Sequence, residues 1–269
     1  MSRPARGCLS YLVASAGKAI VVDPLRHFHP YLDLAHGSGL AIESVIDTHS
    51  HADHISGGSA LAAKTGASYY LNPYDAIHPI DVLPATIPYE PIRDGQTFSI
   101  GRHALQALHA PGHTRGLAAL RLDDSYLFTG DSIFIRSIAR PDLGGKADAW
   151  APLHGRSLRR LLGLPGGIIV LPGHFSSLDE ADGAGRFAAS LDDLKQRNDG
   201  LVVLQRASEA GFVRYLLESL PRFIPEYVDI KRVNAGLLAP AEEDAATLEL
   251  GKNVCALSRA YAASGGGRQ

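Results

Sequence analysis

Four side chains able to bind a metal crowd into six residues: His49, His51, Asp53 and His54, within Thr48-His49-Ser50-His51-Ala52-Asp53-His54. Imidazole nitrogen and carboxylate oxygen suit zinc or iron, and a tight turn lets several converge within roughly 2.0–2.2 Å of one cation. A polar loop whose histidines merely cap the next helix is the structural alternative. It explains a lone histidine better than it explains four donors in this order. Three more donors follow at a distance. They are His113 in Pro111-Gly112-His113-Thr114, Asp131 in Thr129-Gly130-Asp131-Ser132, and His174 in Leu171-Pro172-Gly173-His174.

The elements that must position these donors are legible as alternating strands and helices. Leu9 to Ala14 and Lys18 to Asp23 are apolar, β-branched runs around a glycine-containing turn and predict a hairpin, which Pro24 ends. A helix is expected from about Pro30 to Ser38, a buried strand at Glu43 to Asp47, a helix at Ser56 to Thr65 and a strand at Ser68 to Leu71. Gln96 to Ile100 and His103 to His109 alternate as strands. Leu117 to Leu122 and Ser125 to Thr129 make a second hairpin, and Gly167 to Leu171 is one more buried strand. Each candidate donor therefore lies just past the end of an apolar strand, where a rigid α/β scaffold presents chemistry. Helices are expected at Asp179 to Arg197, Ala207 to Ser219 and Pro240 to Ala262, with Ser264 to Gln269 a glycine-rich tail.

In order and approximate spacing, His49-Ser50-His51-Ala52-Asp53-His54 followed by His113, Asp131 and His174 is similar to the metallo-β-lactamase superfamily. The resemblance runs from about Cys8 to Ser176. It implies an α/β fold, an αβ/βα sandwich with the metal at the edge between two sheets, here with a helical C-terminal extension. The expected division is a catalytic unit over 1–205, a helical extension over 206–262 packed on it, and a disordered tail over 263–269. In two-metal members the resemblance assigns His49, His51 and His113 to one cation and Asp53, His54 and His174 to the other, with Asp131 bridging. Such a pair lowers the pKa of a hydroxide held between the cations, which is hydrolytic chemistry.

A neighbouring branch, the persulfide dioxygenases, keeps these residues but uses one iron. By that resemblance only His49, His113 and Asp131 ligate Fe(II), as a facial triad with open positions for dioxygen and substrate. Asp53 and His54 then act beside the metal, and His51 and His174 orient its ligands. The stretch Thr129-Gly130-Asp131 to Ala139-Arg140-Pro141-Asp142-Leu143 resembles the dioxygenase pattern Thr-Gly-Asp, a spacer, then Gly-Arg-x-Asp, with Ala139 in place of the glycine. Glyoxalase II, the nearest relative, usually continues with Gly-Arg-Phe-Phe-Glu. Leu164-Pro165-Gly166 also resembles the dioxygenase branch. Arg140 is the expected substrate-side residue, forking onto a carboxylate of a thiol carrier, with a structural salt bridge to Asp142 as the equal alternative. The expected reaction is oxidation of a low-molecular-weight thiol persulfide, such as glutathione persulfide, with O2 to sulfite and thiol. One Fe(II) per chain is the expected cofactor. The alternative is a dinuclear zinc thioester hydrolase of the glyoxalase II type. Two departures bear on the carrier. Arg197-Asn198-Asp199-Gly200 lacks the arginine that glutathione-using members place two residues after the asparagine, and Phe175-Ser176 stands where they have a nearby tyrosine.

The totals fit a soluble enzyme. Hydrophobic residues at 45%, charged residues at 20% and a net charge of −2 leave no broad footprint for nucleic acid or an acidic membrane. No apolar run reaches the ~18 residues that span a bilayer, and two cysteines are too few for a disulfide framework, so a cytoplasmic location is expected. Cys8 and Cys255 read as small core filling. Trp150 and Tyr227 read as aromatic core, and the seven histidines outside the motifs as surface or core residues. The C-terminal helices are expected to complete the substrate pocket or to form a homodimer contact.

Overall fold

The computed structural model describes residues 1–3, 7–250 and 257. β1 (Ser2–Arg3) pairs antiparallel with β2 (Cys8–Leu9), and β3 (Tyr11–Ser15) with β4 (Lys18–Val22) makes the expected hairpin. α1 (His29–Gly37), β5 (Ala41–Ile46), α2 (Gly58–Thr65), β6 (Ser68–Leu71) and β7 (Glu90–Pro91) follow. The first sheet has the order β3-β4-β5-β6-β7, parallel from β4 onward. β8 (Thr97–Ile100), β9 (His103–His109), β10 (Ala118–Leu122), β11 (Tyr126–Gly130), β12 (Ile169–Pro172) and β13 (Ala189–Ser190) form the second sheet, with α3 (Ala147–Leu162) crossing between parallel β11 and β12. The chain then runs through α4 (Leu191–Arg197), α5 (Asp199–Arg206), α6 (Glu209–Glu218), α7 (Glu226–Asn234) and α8 (Glu242–Leu248).

The burial pattern explains the layering. In β4 nearly every residue is apolar because both faces are covered. Ala19 and Val21 face α1 and α2 with Tyr31, Ala35 and Leu61, while Ile20 and Val22 meet Phe98, Leu105, Leu120 and Phe128 of the second sheet. The outer face of the second sheet packs Leu127 and Val170 against Leu158 of α3, Leu201 of α5 and Phe212 and Leu216 of α6. Two sheets thus lie face to face with helices outside both, as the sandwich expectation has it.

The structure departs from the sequence reading mainly in the helices. The helix expected over Asp179 to Arg197 is instead a single 3₁₀ turn (Leu178–Glu180), a loop, β13 and α4. Within that loop the Asp182 carboxylate accepts from the backbone of Ala184 and Arg186, and Gly185 takes φ +75°. This local side-chain turn outcompetes helix. α3 was not anticipated, because Pro152 and Gly155 interrupt its pattern. α5 and α7 were likewise missed. Of the helix expected from Pro240, α8 is the described part; Cys255 and the 263–269 tail lie outside the described residues. No described helix is long and apolar enough to cross a membrane.

Candidate metal centre

β5 ends at Ile46, and the loop that follows is shaped by two buried carboxylates. Asp23, at φ +50° just beyond β4, accepts from the Thr48 amide (2.7 Å) and hydroxyl (2.8 Å) and lies 3.2 Å from His51 Nε2. Asp75 accepts from the Ser50 amide (2.9 Å), the Thr114 hydroxyl (2.6 Å) and the Gly116 amide (2.7 Å). One side chain thus ties the His49 loop to the His113 loop. From the other side α7 holds the loop's carbonyls. Lys231 Nζ donates to Ser50 O (2.5 Å), and Asn234 Nδ2 donates to His51 O (2.9 Å) and His54 O (3.0 Å). None of Asp23, Asp75, Lys231 or Asn234 was singled out from sequence. Only Asp23, next to Pro24 at a strand end, carried any local signal.

All seven candidate donors meet here and all are buried. Six of them form two halves, while His51 groups with the buried carboxylates of Asp23 and Asp47. In the first, ligand atoms of His49, His113 and Asp131 lie within 4.8 Å of one another. His113 Nε2 is 3.4 Å and His49 Nε2 is 3.9 Å from Asp131 Oδ2. His113 Nδ1 donates to Arg140 O (2.8 Å). Because a carbonyl only accepts, the neutral ring turns its Nε2 lone pair toward Asp131. His49 Nε2, His113 Nε2 and Asp131 Oδ2 are all buried without a hydrogen-bond partner, a costly arrangement that a cation would relieve. His51 Nδ1 is likewise unpartnered, its ring centre 4.2 Å from that of His49.

In the second half the donors satisfy one another. His174 bridges the carboxylates through Nδ1 to Asp131 Oδ1 (2.6 Å) and Nε2 to Asp53 Oδ2 (2.9 Å). His54 Nδ1 meets Asp53 Oδ1 (3.2 Å), leaving only Nε2 without a partner. Cys8 joins them, its thiol donating to Asp53 Oδ2 at 3.3 Å. Two glycines let the strand ends close this tightly. A Cβ on Gly130, at φ +48°, would fall 2.5 Å from Thr48 Oγ1, and one on Gly173 would fall 2.5 Å from Asp131 Oδ1.

Protonation differs between the halves. Burial, reinforced by neighbouring histidines, holds His49 well below the usual histidine value; burial outweighs the Asp131 attraction at His113 and lowers it too. Burial opposes ionisation of Asp131, but His174 and His113 outweigh it and keep the carboxyl below its usual range. The first half is therefore already in its metal-binding form at neutral pH. In the second half burial is overcome by Asp131 and Asp53 at His174 and by Asp53 at His54, so both imidazoles are held protonated. A cation entering the first half is expected to release few protons near neutral pH, because His49 and His113 are both held below the usual histidine value. A cation entering the second half should release on the order of two protons. Proton release on metal addition to the stripped protein, followed with a weakly buffered indicator dye, reads out which half fills.

Arg140 is paired within the protein. Its guanidinium is fully buried, forked onto Asp142 at 2.5 and 2.7 Å, and donates further to Pro221 O (3.0 Å) and Arg222 O (3.4 Å). The geometry shows the salt bridge that the sequence offered as the equal alternative, and the Arg140 carbonyl fixes His113. Cys8 is buried as expected of core filling, yet its thiol faces a carboxylate and two histidines. Tyr227 is core, whereas Trp150 also lines a cavity of about 170 Å³ with Tyr74, Val82, Lys231 and the residues that directly follow His49 and His113, Ser50 and Thr114. Among the scattered histidines, burial drives His154 down to about 3, so it sits neutral behind Gly112.

Comparison with known proteins follows this geometry. Residues 3–174 match the family described as the metallo-beta-lactamase superfamily. A hydroxyacylglutathione hydrolase from Xanthomonas euvesicatoria is 34% identical over 170 residues, covering 63% of this chain and 61% of the relative. The chain thus spans less than two thirds of that relative's length. One from Methylococcus capsulatus is 30% identical over 226 residues, covering 80% of this chain and 81% of the relative. The crystal structure of ETHE1 from Myxococcus xanthus superposes with a TM-score of 0.70 at 27% identity, covering 88% of this chain and 97% of that one.

Proposed function

The chain belongs to the metallo-beta-lactamase superfamily, and from that membership we propose that it is an iron(II) persulfide dioxygenase acting on a small thiol persulfide. The observation that carries this reading is the unspent donor set of the first half. Two imidazoles and one carboxylate, each turning one buried and unpartnered atom toward the others, make a facial triad for one iron, while the second half is largely occupied with its own hydrogen bonds. The Arg140-Pro141-Asp142 stretch, similar to the dioxygenase pattern, supports the same branch.

The balanced reaction is R–S–SH + O2 + H2O → R–SH + sulfite + 2 H⁺. Iron, when bound, supplies the electronic means of bringing dioxygen and a sulfur nucleophile to reaction. The chain's own residues do the rest. His113, fixed by Arg140 O, and His49, braced 3.0 Å from the Thr48 hydroxyl, hold donor atoms in place. Asp131 is oriented by His174 on its other oxygen. Asp53 and His54 lie beside the triad as the ionised acid and protonated base, positioned to take and return protons. The cavity bounded by Trp150, Tyr74 and Lys231, which Ser50 and Thr114 also line, offers an amphipathic seat for the thiol carrier next to the loops that carry His49 and His113.

A second reading, thioester hydrolysis over two zinc ions, is supported by the hydroxyacylglutathione hydrolases named above and by the unpartnered nitrogens of His51 and His54. The curated relatives favour it, and at about 30% identity a shared fold leaves the reaction open. Product analysis separates the two. Incubated with glutathione persulfide in air, the protein is expected to form sulfite, and with a hydroxyacyl thioester to leave it intact. Thioester cleavage without sulfite would overturn the dioxygenase reading in favour of the hydrolase.

A further inference from the structure

The cavity that Trp150 lines has a floor and a mouth of different chemistry. Ser50, Thr114, Trp150 and Lys231 are buried and form the floor, whereas Tyr74, Ile77, Val82, Arg115 and Lys146 are exposed and form the mouth. At about 170 Å³ the cavity is smaller than the ~300–1,000 Å³ of sites that enclose a whole small molecule. It has room for the reacting end of a thiol carrier, and the rest of that carrier must lie across the mouth. The loop after β6 exposes Tyr74, Ile77, Ile80, Val82 and Leu83 within ten residues. That loop is held firmly. Arg232 of α7 forks onto Asp81 at 2.7 and 2.8 Å, and His78 Nε2 donates to Val228 O (3.1 Å). Beside it the Arg115 guanidinium lies 4.6 Å over the Tyr74 ring, and neither Arg115 nor Lys146 has a carboxylate partner among the described residues. The mouth therefore carries unspent positive charge on a chain whose net charge is −2.

Two of these residues are poor choices for the fold alone. Val82 holds φ +56°, where a β-branched side chain is strained, and at 69% exposure no burial offsets that strain. Lys146 is the N-cap of the 16-residue α3, with no side-chain cap bond and with its charge at the positive end of the helix dipole. A ligand that needs an apolar group at 82 and a cation at 146 accounts for both. We propose that the mouth recognises a thiol carrier with an extended apolar arm ending in an anion, a carboxylate or a phosphate. Tyr74, Ile77 and Val82 lie along the arm, and Arg115 and Lys146 hold the anion. The inference deepens the reading above by naming the carrier, and it rests on this cavity serving that site. Glutathione, a compact polar tripeptide with charges of both signs, is then a weaker carrier, in line with the sequence departures beside Asn198 and at Phe175.

The chain's single tryptophan, Trp150, reports occupancy of the cavity. Titration with reduced thiols involves no turnover and is expected to give a saturable change in tryptophan fluorescence, with calorimetry returning the same Kd. Coenzyme A supplies an arm with phosphates, 8-mercaptooctanoate an arm with a carboxylate, and pantetheine an arm without an anion. At least one of the two anionic thiols should bind roughly tenfold more tightly than glutathione or pantetheine, and the tighter of the two assigns the anion. Added salt should weaken that binding. Lys146→Ser and Val82→Asn should each weaken it severalfold while leaving thermal stability equal or higher, the reverse of losing a structural residue. Glutathione bound as tightly as both anionic thiols, no binding of either by calorimetry, or an affinity unchanged in either variant would overturn the proposal. Sulfite formation is measured separately, so its absence contradicts the dioxygenase reading while the binding result still decides the carrier.

Discussion

Asp131→Ala is expected to abolish metal retention in the first half and, with it, activity. The loss should exceed the ~10–100-fold that follows removal of groups merely supporting a metal ligand. Asp131 is fully buried and serves both halves at once, with Oδ2 toward His113 and His49 and Oδ1 on His174. Removing the carboxylate also leaves the buried His174 imidazolium with Asp53 as its remaining acid partner. Breaking one side of such a buried pair costs on the order of 3–5 kcal/mol. The linkage has a definite sign. The His174 contribution is fully present below the ordinary histidine value and is lost as pH rises through its raised folded value; that of Asp131 is present above its ordinary value and is lost as pH falls through its lowered one. Around neutrality both are in force, so the destabilisation of the metal-free variant should be greatest there. Asp131→Asn keeps an acceptor for His174 and should lose the metal while sparing more of the stability. Elemental analysis after desalting, alongside denaturant unfolding of the stripped proteins, checks both parts; a variant that keeps its metal would remove Asp131 from the ligand set.

Arg140→Ala is expected to destabilise the fold without acting on substrate affinity directly. The guanidinium is fully buried, and its loss strands the Asp142 carboxylate and the Pro221 and Arg222 carbonyls. The expected cost is about 3–5 kcal/mol. For a chain of this size that is a fall in Tm of roughly 6–20 °C, at ~2–4 °C per kcal/mol. Arg140→Lys keeps the charge but cannot fork onto Asp142, so it should recover little. A substrate-binding arginine would behave in the opposite way, with KM raised and Tm unchanged. Thermal unfolding measured beside KM therefore decides between the two roles.

The contrast between these residues shows what the sequence could reveal. His113, Asp131 and His174 each follow a short apolar strand, and strand periodicity is a local property, so β6 (Ser68–Leu71) and β9 (His103–His109) were legible to the residue. Arg140 lay in a motif with two chemical meanings. Its burial and pairing depend on Pro221 and Arg222, some eighty positions away. The same applies to Lys231 and Asn234, whose contacts with the His49–His54 loop span about 180 residues, and to Cys8, which an apolar strand disguised as core. α3 was hidden for a local reason. Pro152 and Gly155 break the helical pattern, but their neighbours Trp150, Ala151, Leu158 and Leu161 are buried and hold the helix by packing.

The most direct measurement is oxygen uptake with glutathione persulfide as a function of Fe(II) added anaerobically to the metal-stripped chain. The expected result is a rate that rises linearly and saturates at about one iron per chain, with sulfite formed in step. No oxygen uptake at any iron loading, together with thioester hydrolysis that saturates at two zinc ions per chain, would contradict it.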